Sequence, residues 1–225
     1  MEKYNYNDVK IDEKVFIFIY GCALRDAILQ KSYVGKRTWI GSDVPEAQGY
    51  VKDYINRVLM GDFRKDDETV KKDHDKAFLE TAINVCNAIN GYTKKPRGAG
   101  MFSFGNAQKL INMTVKHVYA HTYSIHTVGH SSIRECFRYC HCPMDSIMLS
   151  TIWKEYREIF DLSKRKILGS DFCKAWGNEN FEADTFGKAI LPTRYVNFQK
   201  AILEIIAKDG GNIFPIEYDY IAWNA

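Results

Sequence analysis

The chain has 225 residues, 46% of them apolar, which is enough to bury one core without disulfide or metal staples. The best membrane candidate, Val15 to Tyr20, falls far short of the roughly 20 apolar residues that span a bilayer. The net charge of +3 selects no partner by itself.

The first eight residues are polar and aromatic, with no apolar signal core, so a cytoplasmic location is expected. The six cysteines (22, 86, 136, 140, 142 and 173) then read as reduced thiols. Val15 to Lys31 is the first predicted helix, opened by Asp12 and Glu13. Pro45 starts a second, with Val51, Tyr54, Ile55, Val58 and Leu59 on one face and Gly61 at its end. A third runs from about 68 to 90 and is stopped by Gly91. Residues 91–105 hold glycines and a proline and read as a loop or hairpin.

Gln108 to about His121 is predicted helical and apolar on several sides, the mark of a central, buried helix. Residues 122–142 look irregular, with a short helix at 132–139. Asp145 to Phe160 and Thr193 to Lys208 are strong helical patterns, and the aromatic tail 214–223 is expected to pack back on the body. Strand signals are few, so the fold is predicted all-α, a single domain spanning 1–225. The expected division is two lobes, about 1–60 with 150–225 and about 61–149, around a cleft.

Two constellations carry chemistry. Lys109 lies one turn inside an apolar helix, where a lysine either snorkels outward or is desolvated into a nucleophile. Asp145 opens the next strong helix behind Pro143 and Met144, where a plain N-cap stabilises by about 1 kcal/mol. Basic clusters at 31–37, 94–97 and 164–166, in a chain with 14 tyrosines, point toward a polyanion. His117, His121, His126, His130, Cys136, Cys140, His141 and Cys142 are crowded together. Their spacings fit no standard zinc knuckle, so no metal and no cofactor are expected.

Phe104-Gly105-Asn106-Ala107-Gln108-Lys109-Leu110 resembles the hairpin and catalytic lysine of helix-hairpin-helix DNA glycosylases. Ala107 stands where that hairpin has its second glycine, and Phe104 where it has proline. Pro143-Met144-Asp145 is similar to the segment carrying that family's aspartate. The branch that acts on 8-oxoguanine in archaea looks closest, with a second lysine further along the helix, here Lys116, and a tail like 217–223.

The resemblance implies base flipping and cleavage of an N-glycosidic bond, by a monomer acting on DNA with a modified or damaged base. Asp145 would stabilise the sugar cation or orient water, and Lys109 would attack C1′. Gly105, Asn106, Gln108, Asn112, Lys116 and His141 would contact phosphate or base, and Trp39 and Trp223 would stack on it. Oxidised guanine and glucosylated hydroxymethylcytosine of phage genomes both stay open as substrates, the latter implying anti-phage defence. Two other readings remain. Arg134 and His141 have the Arg-x₆-His form of HEPN ribonucleases, and the chain also suits a non-catalytic nucleic-acid-binding module.

Overall fold

The computed structural model describes residues 11–29, 44–92, 100–125, 130–160 and 168–223. Its helices are α1 (Glu13–Leu29), α2 (Pro45–Leu59), α3 (Glu68–Gly91), α4 (Phe104–Ile125), α5 (His130–Cys136), α6 (Ser146–Ile159), α7 (Thr193–Lys208) and α8 (Pro215–Ala222). A 3₁₀ turn at Trp176–Asn178 leads into a two-residue antiparallel ribbon, β1 (Glu182–Ala183) with β2 (Ala189–Ile190). The chain is mostly helical, as its periodicity predicts. No helix among the described residues is long and apolar enough to cross a membrane.

Local chemistry sets the helix starts. Asp12 accepts from the Lys14 and Val15 amides at α1, and Asp67 accepts from Thr69 and Val70 at α3. Pro45 and Pro215 occupy the first turns of α2 and α8, where a missing N–H costs nothing.

Helix α4 departs most from expectation. It begins at Phe104 rather than Gln108, because Ser103 and Asn106 cap it reciprocally. The Ser103 Oγ accepts from the Asn106 amide at 3.2 Å, and the Asn106 carbonyl oxygen accepts from the Ser103 amide at 3.2 Å. Gly105 therefore sits in the first helical turn and not in a hairpin. Its amide donates to the Glu179 carbonyl at 2.9 Å, and a Cβ there would lie 1.8 Å from the Trp176 carbonyl oxygen. The glycine is required by the close approach of the 3₁₀ turn.

Two smaller differences concern the ends. The short helix expected at 132–139 covers His130–Cys136, and the tail forms a helix of its own, α8. The first helix is described to Leu29, and the last two residues expected in it lie outside the described set.

Helix α4 packs on α1, α3, α5 and the 3₁₀ turn, α2 on α3 and α5, and α8 on α6 and α7. Helices α1 and α2, expected in one lobe, thus lean on α4 and α3, expected in the other. Residues of all eight helices join one apolar core, including Phe16, Ile55, Phe78, Leu110, Ile133, Ile152, Phe198 and Ile216. Burying each such side chain contributes about 1.5–3 kcal/mol. That gain offsets the cost of a row of polar residues carried along buried α4.

Candidate functional site

The row is Gln108, Lys109, Asn112 and Lys116, spaced to lie on one face of α4. All four are buried; Lys109 is 3% exposed. Lysines are almost never enclosed so far unless paired, and both find a carboxylate. The Lys109 ammonium forms an ion pair with Asp145, 36 residues further on, and the Lys116 ammonium forms another with Asp219, 103 residues further on. The two positive and two negative charges cancel within the cluster.

Asp145 does two things at once. It is the N-cap of α6, with Oδ1 accepting from the Met148 amide at 2.9 Å, and its Oδ2 holds Lys109. It is 2% exposed. Asp219 differs, because its Oδ1 has no hydrogen-bond partner among the described residues. Burial pushes the Asp219 carboxyl above its ordinary range, and the Lys116 charge opposes that rise. The Lys116 ammonium also lies 4.7 Å from the Tyr220 ring centre and 5.6 Å from that of Trp223, within cation–π range.

The non-helical segment 141–145 is held in place by side-chain amides. Gln108 donates to the Met144 carbonyl at 2.7 Å and accepts from the Met144 amide at 3.0 Å. From the other side, Gln199 donates to the Cys142 carbonyl at 2.7 Å and accepts from its amide at 3.1 Å. Two glutamines thus satisfy buried backbone groups that a helix or sheet would otherwise satisfy. Asn112 donates to the Tyr195 hydroxyl at 2.9 Å. Burial raises the Cys142 thiol well above its usual range, so it is no nucleophile at neutral pH.

The site expected from sequence is therefore partly assembled. Lys109 and Asp145 meet, with Gln108 beside them and Lys116 two turns along α4. Asn106 is fully buried and donates to the Ala27 carbonyl at 2.8 Å, and the Gly105 amide is occupied by Glu179. Both act here as packing elements. Trp223 ends α8 and is half exposed. Trp39, the three basic clusters, and the side chains of His126 and His130 lie outside the described residues.

Arg134 and His141 belong to different networks. Arg134 makes a two-pronged contact with Glu217, 2.6 Å on each side, and stacks over Phe214. Helix α5 ends at Cys136, so the pair does not share a helix. His141 faces Asp75 and Tyr195, each at 3.0 Å. Sequence reasoning missed Asp219, Tyr195, His74 and Asp75. For Asp219 a signal existed, an acid set between two tyrosines inside the aromatic tail helix. Comparisons with known protein families, with characterised proteins and with solved structures give no match.

Proposed function

We propose that the chain is a DNA N-glycosylase in which Asp145 and Lys109 act on the sugar of a flipped nucleotide. The observation that carries this reading is the meeting of the two residues. A lysine near one helix start and a carboxylate at another converge across 36 residues of sequence. The pair sets side by side the amine and the carboxylate that the covalent route to base release uses.

As the base departs with the bonding electron pair, the sugar gains positive charge, and a carboxylate fixed by a helix N-terminus stabilises that charge at no reorganisation cost. The Lys109 amine, having passed its proton to the leaving base, then forms the bond to C1′. The C1′–O4′ bond then breaks with its electron pair on the ring oxygen, which takes a proton from the attached nitrogen, giving a protonated Schiff base that permits strand nicking. With water in place of the amine, oriented by Asp145, the product is a plain abasic site. Both groups are enclosed, so the reading requires neighbouring side chains to shift when a nucleotide enters. Lys116, with Tyr220 and the half-exposed Trp223, supplies a cation and aromatic faces suited to a phosphate and a base.

The test is incubation with phage DNA, including DNA carrying glucosylated hydroxymethylcytosine, and with defined lesion duplexes, scoring abasic sites. Asp145→Asn is expected to lower base release by about 100-fold or more while leaving DNA binding intact. Borohydride trapping of a covalent adduct through Lys109 marks the bifunctional route. Absence of base release from every substrate sinks the enzyme reading; DNA binding without release would favour a binding module.

A further inference from the structure

On the other side of segment 141–145, three potential ligand atoms converge. The Asp75 Oδ1 lies 3.2 Å from His74 Nδ1 and 3.0 Å from His141 Nε2. Ligand atoms of the three groups all fall within 4.8 Å of one another. An ion about 2.0–2.1 Å from each tetrahedral ligand sets those ligands roughly 3.3 Å apart, close to the two contacts measured here. We infer that His74, Asp75 and His141 form a binding site for a zinc-class divalent cation.

Two further observations support the assignment. The second nitrogen of each imidazole is already committed to a tyrosine. His74 Nε2 lies 2.7 Å from the Tyr54 hydroxyl, and His141 Nδ1 lies 3.0 Å from the Tyr195 hydroxyl. Such outer partners fix the ring orientation and the tautomer of metal-ligating histidines. In the metal-free state the ring nitrogens facing Asp75 donate to its carboxylate. On binding, each proton moves to the nitrogen facing its tyrosine and the cation takes its place, with no net proton released.

Finally, the site is open on one side. Asp75 and His141 line a cavity of about 270 Å³ together with Lys71, Tyr139, Tyr195 and Lys200. His74 closes the back, fully buried. Three protein ligands and one open position are the pattern of a zinc site that takes a water or an anion. The two lysines at the cavity favour an anionic oxygen there.

The experiment is titration of the metal-free full-length chain with Zn²⁺ by calorimetry and with Co²⁺ by visible absorption. One ion per chain is expected, with a cobalt d–d band and no thiolate charge-transfer band. Asp75→Asn, which keeps the side-chain volume at a partly exposed position, should weaken binding roughly 100-fold or more, and His141→Gln likewise. Circular dichroism verifies that each variant folds. If neither does, the cobalt spectrum of the unaltered chain decides between imidazole–carboxylate and thiolate ligands. No binding, a thiolate band, or full affinity in a folded Asp75→Asn variant overturns the site. None of these outcomes depends on base release, so this site stands or falls separately from the glycosylase reading.

Discussion

Two polar centres flank segment 141–145, and they solve the burial problem in opposite ways. On the α4 side, ammonium meets carboxylate twice, the charges cancel, and the groups are sealed. On the α3 side, two imidazoles share one carboxylate whose side chain is 37% exposed, beside a cavity. In the first arrangement the charges balance, and among the described residues only the Asp219 Oδ1 of the two carboxylates lacks a hydrogen-bond partner. The second leaves one carboxylate charge shared by two imidazoles at the edge of a cavity that Lys71, Arg138 and Lys200 also line. Full charge compensation allows a centre to be enclosed, whereas partial compensation keeps a path to solvent and to ligands.

The largest expected effect breaks the sealed centre. Lys109→Met should cost about 3–5 kcal/mol in urea unfolding, because Asp145 is left as an uncompensated buried charge. Adding Asp145→Asn should recover much of that loss. A single variant as stable as the parent would mean that water reaches Asp145, and the contrast between the two centres would collapse.

Acid separates them next. The His74 imidazole is lowered to about 4 in the folded chain, against roughly 6.5 when unfolded. Between those values the unfolded state binds more protons, so stability rises with pH. The contribution is fully present above about pH 6.5 and is lost as pH falls toward 4, about 3 kcal/mol in all. Asp75, also depressed, adds a further loss at lower pH as its carboxylate is protonated. Urea midpoints across this range check the slope, and an NMR titration of the His74 ring identifies its source. A flat profile would remove the imidazole cluster as the acid-sensitive centre.

The smallest effect sharpens the boundary. Tyr195 touches both centres, through Asn112 on one side and His141 on the other. Tyr195→Phe should cost about 1–3 kcal/mol, since two buried polar groups lose a partner. In a thermodynamic cycle with Asp75→Asn the coupling should be measurable; strict additivity would show that the hydroxyl does not link them.

Much of the fold was legible because its helices announce themselves by period and cap. Helices α2, α3, α6 and α7 fall within a residue or two of the pattern, with Pro45 and Asp145 marking starts. Helix α4 was misread at its start because Gly105 looks like a turn residue. Only the 3₁₀ turn pressed against it, some 70 residues away, explains the glycine. The Ser103-x-x-Asn106 pair was the available corrective.

Lys109 and Asp145 could be paired only through the family that the motifs around them resemble. His74 and Asp75 could not be linked to His141, because they lie on α3, 66 residues before it in the case of Asp75, and their own spacing carries no ligand signature. The crowded histidines and cysteines of 117–142 drew attention to the wrong neighbours. Asp219 escaped for the same reason: its lysine is 103 residues away.

The clamp that Gln108 and Gln199 place on Met144 and Cys142 makes the intervening chain a ruler. His141 stands at one end and Asp145 at the other, each facing a different chemistry. What both ends depend on is the count of residues between them, more than their identity. A single inserted residue would keep the composition and lose the alignment of one end or the other, so this short stretch admits exchange far more readily than it admits growth.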